Sequence, residues 1–555
     1  MIDSMIQRLL DAPVRKHGLS LERRIDLCRS CVETLMPTVD DWIDAGARGK
    51  QCPNRIDVVA EELLSGPLIA VRLLRLLEQS FSDLLLYGYT RLPQPEALHH
   101  ERRIHGKPLL PIFPTLSLWD RLIFRGISAD AVLMERTDPR KRHYALYRQL
   151  QDTSVSKISL VLGAGNVSSV PFSDAIHKSL VCGHQVILKM NPVNAYLKPI
   201  FERAFAPLFQ EGLLVAIEGD SQVGQALVDH PAVDDVHLTG SAHTHDRIVW
   251  GDDPQEVLSR KKAGTPRLTK PVTSELGNVS PWIIVPGVYS TKELTSQAMH
   301  MAASIANNAG FNCLATRVIV TCQNWPQRTE FLRLLQQSLQ SIPKRPAYYP
   351  GALERYRRFT QTNIDPDDSG CLPYRLLESQ SIDQNPLVFE EESFTCVCVE
   401  TPLASQTASQ FLDEAVAFCN LRLPGTLCAS VSFPKKFAEQ KRRVISQALG
   451  TLRYGCVSVN QWSALAYSLL TPPWGGAPGA SLEDAQSGIG YVHNTYLLER
   501  VEKTVLYGPL VNFPKPVWFP GHRNALRVGR ELIGLYHQPS NHRLLKLFQH
   551  ALIGC

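Results

Sequence analysis

From Lys157 onward, short β-branched and apolar runs alternate with stretches of helical period, and this alternation constrains the fold more than any other property of the chain. Residues 158–162, 185–188, 214–217 and 236–238 read as strands, with helical stretches at 168–180, 197–210 and 223–229 between them. Strands joined through helices by short links predict a parallel sheet with crossover helices, an α/β architecture. Such sheets bind ligands in the crevice beyond the carboxyl ends of their strands. Gly163, Asn166, Lys189, Asn191, Thr239, Gly240 and Ser241 all fall at such ends. Their placement points to a nucleotide. The Gly163/Gly165 pair alone says little, because the third glycine of the dinucleotide fingerprint is missing.

A second α/β stretch begins near Thr273, with a strand at 282–285, a helix at 294–308 and a strand at 317–320. It carries Glu275 in Ser-Glu-Leu-Gly-Asn and Cys313 in Asn-Ala-Gly-Phe-Asn-Cys. A free thiol has a pKa of about 8.5 and is little ionised at neutral pH, so a reactive cysteine needs a nearby base or positive field. Glu275 can supply the base, either for the thiol or for a water that later hydrolyses an acyl-enzyme. Together the two residues point to covalent cysteine chemistry on a carbonyl. A buried cysteine is more often inert, and the chain has 13 cysteines in all, so the surrounding pattern has to carry the assignment.

At 555 residues the chain exceeds one core and predicts two or three domains. With 58 Lys+Arg against 53 Asp+Glu, its net charge of +5 gives no case for nucleic acid. The one basic run, Arg260, Lys261, Lys262, Arg267 and Lys270, is expected in a solvated loop. No secretory signal is visible at the N-terminus, and 63–87 is broken by Arg72, Arg75, Glu78 and Asp83, so it reads as an amphipathic helix and not a membrane span. A cytoplasmic protein is expected. Cys28 and Cys31 form a lone C-x-x-C without a second ligand pair, which suits helix packing better than a metal, and no metal site is expected.

The ordered set of motifs between about Ser156 and Gly508 resembles the aldehyde dehydrogenase superfamily. The resemblance implies an aldehyde-dehydrogenase-like α/β fold: a Rossmann-type cofactor domain, a catalytic domain and a small oligomerisation strand region. It further implies NAD or NADP as cofactor, Cys313 as nucleophile, Glu275 as general base and Asn166 as an oxyanion donor. Lys189 would hydrogen-bond the adenosine ribose and Ser241 would meet the pyrophosphate, with Gly163, Asn191, Gly224, Thr239 and Gly240 around the dinucleotide. Leu276 would lie under the nicotinamide, and Phe389-Glu-Glu-Glu392-Ser-Phe394 is similar to the family's Glu-x-Phe, placing Glu392 on the nicotinamide ribose and Phe394 beside the ring. Trp474-Gly475-Gly476 is similar to the family's Pro-Phe-Gly-Gly segment. Trp462 and Tyr467 stand where family members line the substrate tunnel, or are core aromatics.

Three positions depart from the family pattern: Pro192 where an acid usually grips the adenosine ribose, Asn278 for the second glycine of Glu-Leu-Gly-Gly, and Gly165 for an aromatic. The Cys313–Arg317 interval, one residue shorter than in most aldehyde oxidisers, resembles the fatty-acyl-CoA reductases of the same superfamily. Oxidation of an aldehyde is the expected activity, because Glu275 is kept; reduction of an acyl thioester and a catalytically silent scaffold are the alternatives. The expected division is 1–135 helical, 136–155 bridging, 156–271 cofactor-binding, 272–490 catalytic, 491–510 oligomerisation strand and 511–555 an extension of unread role. Residues 498–507 read as an exposed strand that pairs with a second copy in a homodimer or dimer of dimers.

Overall fold

The computed structural model of the chain describes residues 2–93, 103–134 and 153–554. The expected bridging segment at 136–155 falls almost wholly outside them. Two sheets organise the rest. The first has five parallel strands in the order Leu214–Ile217, Gln185–Lys189, Ile158–Leu162, Asp235–Gly240 and Val272–Leu276. Its central strand, Ile-Ser-Leu-Val-Leu, is apolar at four of five positions and buried on both faces, as a strand covered by helices on either side must be.

The second sheet has ten strands. In spatial order they are Arg103–Ile104, Lys107–Phe113, Ser128–Leu133, Val501–Tyr507, Cys456–Val459, Cys428–Ser432, Pro281–Ile284, Val318–Cys322, Val397–Leu403 and Arg375–Leu377. The pairings from Val501–Tyr507 onward are parallel, and those before it are antiparallel. Three expectations change here. The stretch expected to be helical up to residue 135 is helical to Tyr87, but 103–133 contributes three strands. The basic run at 260–262 closes the helix Pro254–Ala263 and is not a loop; its cations complement the carbonyl end of the helix dipole.

The third correction concerns assembly. Val501–Tyr507 is not exposed: it hydrogen-bonds Ser128–Leu133 on one side and Cys456–Val459 on the other. Its charges misled because Lys503 is only 3% exposed and donates to the carbonyls of Leu449, Gly450 and Leu452, while Glu502 pairs with Lys107. A charged side chain that ends on carbonyls lets its strand sit inside a sheet. Cys28 and Cys31 lie buried on the helix Leu21–Leu35, against Pro67–Tyr87. Among the described residues no helix is long and apolar enough to cross a membrane.

Candidate active site

The helix Thr291–Ala306 starts at a capping box, Ser290 with Glu293, and delivers the loop 307–313 to the gap between the two sheets. Asn308, Ala309 and Gly310 follow one another at φ 52°, 55° and 82°. For Ala309 that conformation is strained, at a cost on the order of 1–3 kcal/mol, and it persists only where the surroundings enforce it. They do so from several sides. Arg317, 3% exposed, donates to the carbonyls of Gly310 (2.7 Å) and Asn312 (3.1 Å) through one nitrogen and to Thr395 (2.6 Å) through another. Asn308 donates to the carbonyls of Asn166 and Phe311, both at 2.8 Å.

From the N-terminal helices, Glu61 accepts from the Asn307 side chain (2.9 Å) and the Asn308 backbone (3.2 Å), and is held in turn by Arg345 at 2.8 and 3.0 Å. Breaking a buried pair by removing one partner costs roughly 3–5 kcal/mol. Arg345→Met is expected to lower stability by that order in urea unfolding and to speed alkylation of Cys313 as its loop loosens; a variant with unchanged unfolding and alkylation would show that Glu61 does not brace the loop.

Cys313 Sγ lies 3.8 Å from Glu275 Oε1, and the same oxygen accepts from Trp474 Nε1 at 3.1 Å. Glu275 is 4% exposed. Burial, and then the charge of Asp174, push its carboxyl up to about 7 against the hydrogen bonds from Trp474 and Cys313. Burial likewise pushes the Cys313 thiol well up, reinforced by the carboxylates of Glu275 and Glu392. The pair is therefore poised as neutral thiol beside a carboxyl that titrates near neutrality, the range a general base needs. Trp474 is fixed by a stacked His493 and by backbone exchange with 492–493. Asn166 gives one amide proton to the Phe311 carbonyl (3.1 Å), which leaves its second for another acceptor.

A cleft of about 810 Å³ opens over the strand ends of the five-stranded sheet, and every dinucleotide-contacting position expected from the sequence lines it. Gly163, Lys189, Asn191, Gly224, Thr239, Gly240 and Ser241 stand on one side, with Leu276, Glu392 and Phe394 near Cys313. A dinucleotide fits the groups present. Glu392 Oε1 is buried with no hydrogen-bond partner among the described residues, an acceptor suited to ribose hydroxyls. A side chain on Gly277 would collide with Glu392 Oε2, and one on Gly224 would enter open space. Burial pushes the Glu392 carboxyl up to about 7 and lowers that of the Lys189 ammonium.

The departures from the family pattern also acquire physical reasons. A Cβ at Gly165 would stand 2.7 Å from the Asn191 carboxamide, which itself caps the turn starting at Pro192, so an aromatic has no room there. Asn278 is 2% exposed and donates to Ser280 Oγ and the Cys428 carbonyl, tying the loop after Glu275 to the neighbouring strand. Trp462 and Tyr467 line a second cavity that also reaches Cys313; Trp462 donates from Nε1 to the Leu314 carbonyl. Glu61, Arg345 and Asp174 escaped sequence reasoning. Partners 284 positions apart leave no local pattern, and Asp174 sits inside an ordinary helix.

This architecture, with a cysteine loop set between a five-stranded and a ten-stranded sheet, is the aldehyde dehydrogenase fold. The structure of a Mycobacterium tuberculosis aldehyde dehydrogenase complexed with NAD+ superposes with a TM-score of 0.57 at 16% identity, covering 88% of this chain and 85% of that one. Residues 161–354 match the aldehyde dehydrogenase family. Among curated proteins, aldehyde dehydrogenase LUC3 of Fusarium sp is 26% identical over 172 residues, 30% of this chain and 34% of that protein. The human 4-trimethylaminobutyraldehyde dehydrogenase is 30% identical over 167 residues, 29% of each chain. The matches thus span about a third or less of these relatives' own length.

Proposed function

We propose that the chain oxidises an aldehyde to a carboxylic acid, with NAD or NADP as hydride acceptor, through a thioester on Cys313. The observation that carries this reading is the convergence of two cavities on one cysteine whose thiol faces a carboxyl titrating near 7. As a carboxylate, Glu275 takes the Sγ proton, and the thiolate adds to the aldehyde carbon. The free amide proton of Asn166 and the Cys313 backbone N–H hold the resulting oxyanion; one such donor is typically worth about 10²–10³ in rate. The bound cofactor supplies acceptance of a hydride from this adduct. Lys189, Ser241 and Glu392 would hold it, with Glu392 on the nicotinamide ribose. Glu275 then gives that proton up to solvent and, a carboxylate again, takes a proton from the water that adds to the thioester; the acid is released, the Cys313 thiolate leaves and is reprotonated, and Arg317 keeps the loop still throughout.

The test is reduction of NAD and of NADP, followed at 340 nm, with short, long and aromatic aldehydes and with Cys313→Ala alongside. Cofactor reduction that depends on Cys313 is expected, and the cofactor that is reduced faster answers the preference left open by Pro192; silence across the panel overturns the reading. Aldehyde formed from an acyl-CoA and reduced cofactor, without oxidation of any aldehyde, would favour the opposite direction. Asp174→Asn removes a charge that holds Glu275 up, so the rise of kcat/KM with pH is expected to move to lower pH. An unmoved profile would mean that Asp174 does not tune Glu275. Assembly as a homo-oligomer is part of the same reading, but through a face other than Val501–Tyr507, which is paired on both sides within the chain; light scattering measures it.

A further inference from the structure

Cys313 is reached from a second side, and the segment after Asn512 builds part of that approach. A cavity of about 460 Å³, within the roughly 300–1,000 Å³ of small-molecule sites, shares Asn166, Thr239, Glu275 and Cys313 with the cofactor cleft and is otherwise lined by different residues. Helical residues such as Leu68, Ile69, Val170 and Leu465 make one part of its lining, and Val517, Trp518 and Phe519 make another.

Those three belong to a stretch that is tied down at both ends. Before it, Gln297 donates to the Leu510 carbonyl (2.8 Å) and Gln461 to the Pro509 carbonyl (2.8 Å) and Asn512 (2.9 Å). Phe519 meets the buried His300 ring edge-on at 4.4 Å. After it, the helix Ala525–His537 crosses the N-terminal helices: Arg75 donates to the carbonyls of Tyr536 (3.2 Å) and His537 (2.9 Å), and the Arg72 guanidinium lies 4.9 Å over the Tyr536 ring. The wall is therefore a fixed part of the molecule and not a loose tail.

The cations around the cavity are already matched. Lys50, Arg72 and Arg345 all line it, and each has an internal partner: Lys50 pairs with Glu62, Arg72 with Asp120 at 2.9 Å, and Arg345 with Glu61 at 2.8 Å. A tail carrying its own charge would lose its hydration without gaining a free counter-charge, because the one lining carboxyl with no cationic partner among the described residues, Glu275, stands 3.8 Å from Cys313 Sγ at the reacting end and not along the tail. An apolar ligand meets a lining that rewards each buried methylene.

Resting on the reading of Cys313 as nucleophile toward a carbonyl, we propose that this cavity binds the tail of an uncharged, predominantly apolar aldehyde, and that residues 517–522 set the length of tail admitted. The test needs no turnover. Butanamide, decanamide, and amides of similar length ending in a trimethylammonium or a carboxylate are titrated calorimetrically into Cys313→Ala protein. Transfer of each methylene is worth about three- to fourfold in affinity, so decanamide is expected to bind at least about a hundredfold tighter than butanamide and than either charged amide. Val517→Trp fills the outer wall and is expected to weaken decanamide at least tenfold more than butanamide. Ala525→Trp, on the adjoining helix, gives the same readout from a second position if Val517→Trp does not fold. Equal affinity across chain lengths, equal affinity for a charged amide, or tryptophans that weaken both lengths alike would overturn the proposal. Aldehyde turnover in the wild-type protein is measured separately: length-dependent binding without turnover would leave the cavity assignment standing and remove the oxidation reading, whereas turnover with flat binding would do the reverse.

Discussion

Cys313→Ser is expected to cut aldehyde oxidation by at least about a thousandfold while leaving the fold and the cofactor cleft intact. Removing a nucleophile that acts in concert with its base forfeits most of the rate, because what remains is binding and oxyanion stabilisation alone. Serine changes one atom, at a position held by backbone contacts: Ser280 donates to the Cys313 carbonyl (3.2 Å), and Arg317 grips the preceding residues. The hydroxyl is a far weaker acid than the thiol, and a Glu275 carboxylate that titrates near 7 cannot ionise it. Stopped-flow reduction of NAD or NADP measures the loss, and mass spectrometry of protein acid-quenched during turnover of aldehyde with NAD or NADP should find an acyl adduct on the wild type alone. A serine variant that retained a tenth of the rate would remove Cys313 from the chemistry.

Glu275→Gln is expected to show two large effects of different kinds. In kinetics, loss of a positioned base is worth about 10²–10⁴ in the step it serves. If water activation is the slower of its two tasks, a first turnover survives as a burst and the steady state collapses. The second effect is on stability. The Glu275 carboxyl moves from an ordinary 4.5 to about 7 on folding, with burial the main cause. Its contribution to stability is therefore fully present below about 4.5 and is lost as pH rises through 7, by which point the unfolded chain has long been ionised. That difference amounts to roughly 3 kcal/mol. Glutamine carries no such penalty, so the variant should gain on the wild type between pH 5 and pH 8 in thermal unfolding. Parallel curves for the two proteins across that range would show that Glu275 is not buried as a neutral acid.

Much of this site could be read from the chain because its parts are local. The strands Ile158–Leu162, Gln185–Lys189 and Asp235–Gly240 announce themselves by short β-branched and apolar stretches, and the residues that line the cofactor cleft lie at or directly after their ends. What escaped is non-local or disguised. Lys503 made a central strand look like an edge, since nothing in a sequence reveals that an ammonium will end on three carbonyls. The pairing of Glu61 with Arg345 joins segments with no shared pattern. The place of residues 517–522 was hidden for a different reason: a run rich in Pro and aromatics lines a cavity only once the buried His300 ring is in place to receive Phe519.

The brace on the cysteine loop has a consequence for how such a chain can vary. The segment that matches the aldehyde dehydrogenase family runs from 161 to 354 and contains Glu275 and Cys313, yet it is not a module that could be lifted out with its chemistry intact. Glu61, which holds Asn307 and Asn308, comes from before it, and Thr395 and Trp474, which anchor Arg317 and Glu275, come from after it. The helices before residue 90 are thus tied to the Cys313 loop through hydrogen bonds from Glu61, as the segment after 354 is through Thr395. Drift in those helices is restrained by a loop more than two hundred residues away, so substitutions there should be tolerated in the order of their distance from Glu61 and not in the order of their distance from the matched segment.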